Sequence, residues 1–417
     1  MNVLVVTPYL PHPRAGNGTG VFLYGLLSRL ALRHRVTLVS FCDEREAALA
    51  HDLRTLPITT HLVPRAKGRG SGSAVMIGLA LLRMCQFALS VAFWEPYYVG
   101  KYRSRRMARL IGEITAREHF DIVQFEFAFM GQYGKYVRSG KTVLHEHDVA
   151  FRPAYRRFRK ASSLFSRAAM YLEWCRWARY EPAIARRFDH VLTVTEQDTS
   201  LLRRLSGANH ISYLPRGVDV PDRMPDPHLR DARSLLFVGT FAHHPNLDAA
   251  RWLVSEIFPL VAALWPDATL SLVGPHPPDD LKALAGRFPG VSVLGYVDDV
   301  LPHLRKASAF VAPLRHGGGV KLKIIQAMAN GIPVVTTNVG IEGIQGIGPG
   351  SVLLGSTPHS FADQVDRLFR DASLPAALAT AGYAIAKKFY SWDSTVSRVE
   401  EVYSLIPRGK EASAGRA

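Results

Sequence analysis

The chain has 417 residues, 47% of them hydrophobic and 21% charged, which is long enough for two separate cores and excludes an intrinsically disordered chain. Its formal net charge of +16 favours anionic partners such as membrane headgroups, nucleic acid or acidic substrates. Three cysteines without metal-binding spacing, and an N-terminus without an export signal, predict a protein of the reducing, cytoplasmic compartment.

The first half of the chain alternates short apolar strands with helical segments. Helical periodicity is present at Val21–Arg33, Arg45–Arg54 and Arg103–Arg117. Candidate strands are Val3–Val6, Arg35–Phe41, Ile122–Phe125, Thr142–His145, Val191–Thr195 and Ile211–Leu214. Continuous hydrophobic strands that alternate with helices predict a parallel sheet covered on both faces.

The same pattern restarts after a turn-rich segment at residues 216–232, which is rich in proline and aspartate and is predicted to be a linker. New candidate strands are Leu235–Val238, Thr269–Val273, Val291–Leu294, Ala309–Ala312 and Pro333–Thr336. The sequence therefore predicts an α/β protein with two doubly wound, Rossmann-like domains that face a cleft. Ligands of such sheets bind beyond the carboxyl ends of the strands.

The segment Leu314–Ile344 is the most informative part of the second half. It contains a glycine loop, Gly317–Gly319, followed by Lys321 and Lys323 at the expected start of a helix. Glycines allow backbone N–H groups to approach an anion closely, and a helix N-terminus adds its dipole. The sequence therefore predicts a nucleotide-phosphate site.

Several long stretches together resemble the retaining nucleotide-sugar glycosyltransferases of the GT-B fold, family four. The opening strand, glycine-rich loop and first helix of that family resemble TPYLPHPRAGNGTGVFLYGLLSRLALRHRVTLVS. The crossing between its domains looks like VLTVTEQDTSLLRR followed by LPRGVDV, and its donor domain looks like Phe237–Gly343. The resemblance implies that a sugar moves from a nucleotide-diphosphate donor to an acceptor hydroxyl with retention of configuration.

The resemblance also implies a domain plan. It consists of an acceptor-binding domain over residues 1–215, the linker over 216–232, and a donor-binding domain over 233–392. A helix over 393–407 would cross back to the first domain, and residues 408–417 would form a disordered tail.

The implied site residues fall into two groups. Lysine and arginine side chains among them would bind the diphosphate through charge-assisted hydrogen bonds, and Tyr296–Val297 would lie against the base. The donor-binding residues are Gly239, Thr240, Tyr296, Val297, Arg315, Gly318, Gly319, Lys321, Lys323, Gln326 and Glu342. The acceptor-side loop contains Gly16, Gly18, Thr19 and Gly20.

The sequence departs from the family pattern at three places. Many members have two glutamates separated by seven residues, where this chain has Gly318 and Gln326. Gln326 can still bind a ribose diol, but without charge assistance, and Gly318 cannot replace an acid. The basic residues that frequently follow the first donor-domain strand are missing from GTFAHHPN, so that His243, His244 or the later lysines would compensate.

Catalysis is assigned to KTVLHEHDVAF, because a histidine commonly follows the corresponding strand in the resembling family. His145 or His147 could hold this place, and His147 is preferred since Asp148 follows it directly. His147 and Asp148 are therefore the predicted catalytic residues. Successive residues of a strand face opposite ways, so that His145, Glu146 and His147 can share a direction only if the strand has ended.

The HEHD cluster also suits a metal ion, but no other Cys or His set in the sequence completes such a site. We expect no metal and no other cofactor, because in the resembling family cations and helix dipoles of the protein stabilise the leaving diphosphate. A front-face attack assisted by the departing phosphate needs no carboxylate nucleophile. Glu146, Asp148 and Glu342 are the alternatives for that role.

The positive charge lies almost wholly in the first half. Residues 1–215 carry 31 Lys/Arg and 16 Asp/Glu, and residues 216–417 carry 20 and 19. In the resembling family the first domain binds the acceptor, which is often a lipid-linked sugar. The asymmetry therefore favours a peripheral contact with anionic lipids on the inner face of the membrane.

Two segments could make this contact. Ala74–Trp94 is long enough to span a bilayer, but Arg83, Gln86 and Ser90 form a polar stripe, which predicts an amphipathic helix instead. Packing of this helix into the domain core is an equally good prediction. The second segment, residues 151–187, combines ten Lys/Arg with aromatic residues and two glutamates.

Two other functions compete with sugar transfer to a polysaccharide or a lipid-linked glycan of the cell envelope. A sugar-nucleotide 2-epimerase shares the architecture but needs acids and bases around the donor sugar, which Gly318 and Gln326 do not supply. A non-catalytic membrane-docking protein with a degenerate donor site is the other alternative. Nucleic acid is disfavoured as a partner, since no helix-turn-helix, zinc or RNA-binding signature is present.

Overall fold

The computed structural model describes residues 1–14, 18–65 and 94–406. It divides into two compact units, one formed by Met1–Leu214 with the described residues from 396 to 406, and the other by Pro215–Thr395. Each unit contains its own parallel β-sheet, so that the predicted pair of Rossmann-like α/β domains is confirmed.

The sheet of the first unit has seven strands. They are β1 (Asn2–Thr7), β2 (Arg35–Cys42), β3 (Ile58–Pro64), β4 (Ile122–Glu126), β5 (Lys141–Glu146), β6 (His190–Thr193) and β7 (Ile211–Tyr213). All pairs are parallel, in the order β3-β2-β1-β4-β5-β6-β7. Side chains of β1 from Val3 to Val6 are at most 1% exposed, as expected for a strand covered on both faces.

Helices cover this sheet. They are α1 (Gly18–Leu30), α2 (Glu44–Leu49), α3 (Tyr97–Lys101), α4 (Arg105–Arg117), α5 (Phe151–Lys160), α6 (Leu164–Ala185) and α7 (Glu196–Ser206). Short 3-10 segments lie at Asp52–Thr55 and Ala128–Tyr136.

The second unit repeats the arrangement with six strands. They are β8 (Ser234–Val238), β9 (Thr269–Val273), β10 (Val291–Gly295), β11 (Ala309–Ala312), β12 (Val334–Thr336) and β13 (Leu353–Leu354). Their parallel order is β10-β9-β8-β11-β12-β13. A 3-10 segment lies at Pro227–Leu229, and π-helical turns lie at Leu253–Ile257 and Ala386–Tyr390.

The helices of the second unit are α8 (His244–Trp252), α9 (Phe258–Leu264), α10 (Asp279–Ala285), α11 (Leu301–Lys306), α12 (Leu322–Ala329), α13 (Asn338–Ile341), α14 (Pro358–Arg370) and α15 (Leu374–Ile385). The last helix, α16 (Trp392–Leu405), begins in the second unit and continues into the first.

The strand order of each sheet fixes where a ligand can bind. In the first unit the order reverses between β1 and β4, and in the second unit it reverses between β8 and β11. Crossover connections diverge at such a switch point and leave a crevice at the carboxyl ends of the two strands. Residues that follow β4 and β11 are therefore the first candidates for functional sites.

The structure differs from the sequence predictions in several local details. β3 and β13 were not predicted, because β3 mixes Thr, His and Pro with apolar residues and β13 has only two residues. Gly18, Thr19 and Gly20 lie in the first turn of α1 rather than in a loop, and Gly16 lies outside the described residues. The helical pattern of Arg45–Arg54 divides into α2 and a 3-10 turn.

Residues 216–232, predicted as a linker, pack within the second unit. Val218 is 4% exposed and its N–H donates to the carbonyl of Tyr390 at 2.8 Å. The hydroxyl of Tyr383 donates to the carbonyl oxygens of Pro221 and Asp222 at 2.6 and 2.9 Å. A proline-rich backbone has fewer N–H donors but keeps its carbonyl acceptors, and the hydroxyl of Tyr383 binds two of them.

Among the described residues, no helix combines the length and the apolar character needed to cross a bilayer. The predicted amphipathic helix Ala74–Trp94 lies outside the described residues except for Trp94, and so does the predicted tail over 408–417.

Candidate active site

In the second unit, the glycine loop lies at the switch point of the sheet. It follows β11, and α12 begins at Leu322 with Lys321 as its N-terminal cap residue. Gly317 and Gly319 have φ angles of 127° and 71°, which residues with a side chain rarely adopt. Residues 315–319 are exposed, so that an anion can approach this backbone and the start of α12.

Lys321 is the cation at this helix start. Its side chain is 7% exposed, and its Nζ lies 3.7 Å from Oε2 of Glu342, whose side chain is 38% exposed. A buried ammonium group needs a charged or polar partner, which Glu342 supplies. The structure thus brings together two of the residues that the sequence predicts for donor binding.

Lys323 contacts the turn that follows β8. Its Nζ donates to Oδ1 of Asn246 at 2.6 Å and lies 4.7 Å from the ring centre of Phe237. A Cβ atom at Gly239 would lie 2.8 Å from this Nζ, so that a side chain there would displace the tip of the lysine. Burial lowers the pKa of Lys323 to about 7. A bound phosphate would favour the protonated form of Lys323, because its negative charge stabilises the ammonium group.

Arg315, the third predicted cation, already has a carboxylate partner. Its Nε and Nη2 atoms donate to the two oxygens of Asp248 at 3.0 and 2.6 Å, and its guanidinium lies 4.9 Å from the ring centre of Trp252. The bond from Arg315 lowers the pKa of the Asp248 carboxyl. Arg315 thus ties the glycine loop to α8, which is a bidentate, charge-assisted contact.

The other predicted donor residues lie along the same edge of the sheet. Thr240 follows Gly239 and is exposed, whereas Tyr296, directly after β10, is 69% exposed. β10 lies two strands from β8, which corresponds to about 10 Å at the usual strand spacing. Val297 is half-buried, and Gln326 is exposed on α12.

In the first unit, a buried carboxylate lies between two histidines at the carboxyl end of β4. Oε2 of Glu126 lies 2.7 Å from Nε2 of His147 and 2.9 Å from Nδ1 of His145, and all three side chains are fully buried. Burial alone raises the pKa of Glu126, but the two histidines outweigh it and hold this pKa well below its usual range. Glu126 is therefore an ionised group at neutral pH.

Both histidines reach Glu126 because residues two apart along a strand direction share one face, and β5 ends at Glu146, just before His147. The two imidazole rings lie 4.3 Å apart, and Phe22 of α1 packs edge-on against both, at 5.8 and 6.0 Å between ring centres. This contact places α1, which begins with Gly18, Thr19 and Gly20, beside the histidines. Asp148, the other predicted catalytic residue, is exposed.

Three residues of this site were missed by the sequence analysis. Nε2 of Gln124 donates to Oε1 of Glu126 at 2.6 Å, and the hydroxyl of Tyr403 donates to Oε1 of Gln124 at 2.6 Å. Gln124 and Glu126 are polar residues that alternate with Phe125 in an otherwise apolar strand, which was the available signal. The role of Tyr403 could not be predicted from the sequence, since it lies 279 residues from Gln124 along the chain.

Glu126, His145 and His147 could also hold a metal ion, because one ligand atom from each lies within 4.8 Å of the others. Two imidazoles and a carboxylate are a donor set that suits Zn²⁺. The 2.7 Å separation is a hydrogen bond, so that the ring proton of His147 can satisfy the carboxylate, whereas the 2.9 Å contact of His145 is an ion-pair distance without hydrogen-bond geometry. Glu126 and His147 therefore form a hydrogen-bonded pair, with His145 at ion-pair distance from the same carboxylate.

Glu146 belongs to a separate buried acidic pair. Its Oε2 accepts a hydrogen bond from the N–H of Ala128 at 3.1 Å, and Glu181 accepts from the N–H groups of Ala150 and Phe151. Burial, followed by repulsion from Glu181, raises the pKa of Glu146 well above its usual value. Burial also raises the pKa of Glu181 to about 8. A protonated Glu146 is a poor nucleophile.

Replacing Glu146 by glutamine is expected to stabilise the protein at pH 8 and to change little at pH 5. With its raised pKa, Glu146 stabilises the folded state fully below its unfolded pKa of about 4.3, and this stabilisation is lost as the pH rises through the folded pKa. Glutamine is permanently neutral and keeps an acceptor for the N–H of Ala128. Thermal unfolding should give a Tm about 2–4 °C higher at pH 8.

The exposed Glu113 provides the control for this measurement. Glu113→Gln should leave the Tm unchanged at both pH values. An increase in the Tm of Glu146→Gln that is the same at pH 5 and pH 8 would contradict the assignment of a raised pKa to Glu146.

Two family models match most of the chain. The model described as Glycosyltransferase Family 4 matches residues 16–221. The model described as Glycosyl transferases group 1 matches residues 232–371, which contain the glycine loop and α12.

Curated relatives are similar over about half of the chain. Phosphatidyl-myo-inositol mannosyltransferase from Mycobacterium tuberculosis is 27% identical over 207 residues, which are 46% of this chain and 53% of the relative. A component of the human phosphatidylinositol N-acetylglucosaminyltransferase is 25% identical over 232 residues, which are 52% of this chain and 46% of the relative. The chain thus spans about half the length of the curated relatives that it matches.

Solved structures resemble nearly the whole chain. HepE from Anabaena, in complex with UDP and glucose, has a TM-score of 0.63 at 14% identity, and the match covers 97% of this chain and 100% of HepE. Sucrose-phosphate synthase from Thermosynechococcus elongatus has a TM-score of 0.66 at 16% identity, with 97% and 98% covered. Such low identities show the fold alone, and the two family models show that the chain is a glycosyltransferase. The chain therefore belongs to the glycosyltransferases of the GT-B fold.

Proposed function

We propose that the protein transfers a sugar from a nucleotide-diphosphate sugar to a hydroxyl group of a lipid-linked or polysaccharide acceptor, with retention of configuration. The observation that carries this proposal is the exposed glycine loop at the switch point, with Lys321 at the start of α12. The curated relatives include a phosphatidyl-myo-inositol mannosyltransferase, and one solved neighbour is bound to UDP and glucose. The first name agrees with a lipid acceptor, and the second agrees with a donor that carries a diphosphate.

In this proposal the second unit stabilises the departing diphosphate. The backbone of residues 317–319 and the N-terminus of α12 face the phosphates, while Lys321 and Lys323 supply positive charge. Charge that develops on the leaving group is then met by fixed donors, which lower the barrier without reorganisation. Glu342 holds the Lys321 ammonium in place in the absence of a donor.

The nucleoside would lie along the remaining part of the sheet edge. Tyr296 offers an exposed aromatic ring for the base, and the exposed Gln326 offers an amide to the ribose hydroxyls. An amide forms neutral hydrogen bonds where a glutamate would form charge-assisted ones. We therefore expect weaker ribose binding than a glutamate would give.

In this proposal the first unit supplies His147, which would contact the reacting sugar and the acceptor. Glu126 is the residue that positions the His147 ring. An ionised carboxylate accepts the Nε2 proton of His147 and fixes the orientation of the imidazole. The departing phosphate would accept the proton of the attacking acceptor hydroxyl, so that no carboxylate nucleophile and no metal ion take part. The raised pKa of Glu146 supports the absence of a carboxylate nucleophile, since it favours the protonated acid.

The proposed acceptor places the protein at a membrane. We infer a peripheral position on the inner face, because 31 Lys/Arg against 16 Asp/Glu in residues 1–215 attract anionic headgroups. A lipid-linked acceptor would then be presented to the first unit at the membrane surface.

Thermal-shift binding of the purified protein to UDP-, GDP-, ADP- and dTDP-sugars tests this function. We expect one nucleotide to raise the Tm, and to bind more tightly at pH 6 than at pH 8, because Lys323 has a pKa of about 7 and binds the phosphates when protonated. The diphosphate diester of these donors stays ionised over this range. No shift with any donor at either pH would refute a functional donor site.

A further inference from the structure

Helices α5 and α6 form a hairpin that is closed by aromatic side chains. The ring of Trp174 lies 5.1 Å from that of Tyr155 and 6.1 Å from that of Phe158, and Phe158 lies 5.4 Å from Tyr171. α6 begins directly after Ser163, whose hydroxyl accepts from the N–H of Ser166 at 3.1 Å. The first turn of α6 is therefore ordered by its own cap, although its apolar side chains are exposed.

These apolar side chains are the most exposed large hydrophobic residues described. Leu164 and Phe165 are each 87% exposed, and on the same helix Tyr171 and Leu172 are 46% and 40% exposed. The exposed Ala168 lies between the two pairs. Spacings of three and four residues place all five on one face of α6. Exposure of a contiguous apolar face usually marks a binding surface.

The surface around this apolar face is cationic. Arg156, Arg157, Arg159 and Arg167 are all exposed. The only carboxylates in residues 151–188 are Glu173 and Glu181. Both accept hydrogen bonds from backbone N–H groups, Glu173 from Tyr97 and Glu181 from Phe151, and Glu173 also lies 3.6 Å from Arg176. The arginines of this hairpin therefore outnumber its carboxylates, and the surface keeps an excess of positive charge.

We propose that the α5–α6 hairpin docks on an anionic lipid bilayer, with Leu164 and Phe165 inserted among the acyl chains and the arginines bound to headgroup phosphates. Apolar side chains that protrude beside arginines match a layer of phosphate above hydrocarbon. A nucleic acid would offer phosphate but no hydrocarbon for Leu164. The proposed function requires a contact with a membrane, and the hairpin is where we place this contact. The choice of a membrane as the partner rests on the proposed function.

Co-sedimentation with vesicles tests the docking surface. Wild-type protein should bind phosphatidylcholine vesicles that contain 30% phosphatidylglycerol, and bind pure phosphatidylcholine at least tenfold more weakly. The double variant Leu164→Ser/Phe165→Ser and the triple variant Arg156→Gln/Arg157→Gln/Arg159→Gln should each lose at least tenfold in binding to the anionic vesicles. Phe165→Trp should show a blue-shifted emission on binding, which reports insertion.

Matched controls lie in the second unit. Leu229, 70% exposed, and Arg287, also exposed, are the control positions, and Leu229→Ser and Arg287→Gln should bind vesicles like wild type. Unchanged vesicle binding by the double variant would overturn the proposal. The proposal would also be overturned if the protein bound RNA but not vesicles. A dimer of the wild-type protein in solution that dissociates in the double variant would overturn it as well. Nucleotide binding, measured on the same variants, should be unchanged, so that failure of the donor site and failure of docking are distinguished.

Discussion

Lys321→Ala is expected to lower kcat/KM for sugar transfer by about 10²–10³-fold, the usual effect of removing one fixed donor from a developing anion. Lys321 is the cation closest to the start of α12, and its side chain is only 7% exposed. Its removal would also leave Glu342 to repel the diphosphate. The thermal shift caused by the donor should disappear together with the activity.

The variant Lys321→Ala/Glu342→Gln separates two roles of this lysine. If Lys321 only neutralised Glu342, removal of both charges would restore donor binding. If Lys321 binds the phosphates, as proposed, the double variant stays inactive. Lys306→Ala, which removes an exposed lysine from the same unit, should behave like wild type. Full activity of Lys321→Ala would contradict the proposed donor site.

His147→Ala is expected to lower kcat by about 10²-fold, the scale of losing a group that positions the reactants, since the departing phosphate takes the proton. Its nucleotide affinity should be unchanged, because the residues proposed to bind the phosphates lie in the second unit. Glu126→Gln should cause a smaller loss of kcat and a shifted pH–rate profile, since the amide no longer holds the His147 ring by charge. Activity should persist in EDTA, because no metal takes part.

Stability has to be measured alongside these rates. Removing one partner of a buried ion pair costs about 3–5 kcal/mol, so that Glu126→Gln should unfold at a lower urea concentration than wild type. Tyr403→Phe keeps the packing of α16 and removes only the hydroxyl that bonds to Gln124, and it should change kcat little. A wild-type kcat for His147→Ala would show that His147 is structural.

The fold followed from the sequence because its strands are continuous apolar runs. Val3–Val6, Thr269–Val273 and Ala309–Ala312 need both faces covered, and only a parallel α/β sheet provides this for so many short strands. β3 was not predictable in the same way, since an edge strand is covered less and tolerates Thr59, Thr60 and His61. Neither was the packing of residues 216–232, because it depends on side chains more than 150 residues away.

The glycine loop could be located from the sequence because its residues are contiguous in the chain, whereas the partner of the two histidines could not. Glycines at 317–319 and lysines at 321 and 323 predict a phosphate site from a local sequence pattern alone. Glu126 became visible only when the register of β4 and β5 placed it opposite His145. The paired state of Arg315 was likewise hidden, since Asp248 lies 67 residues earlier.

The path of α16 limits how this protein can be recombined with its relatives. The helix starts in the second unit, yet Tyr403 completes the hydrogen bonds to Gln124, and Glu400 pairs with His34 at 2.9 Å. A chimera that exchanges only residues 1–214 would keep a foreign helix against its new first unit. An exchange of the first unit between such enzymes therefore has to transfer two separate segments, residues 1–214 and residues 396–406, together.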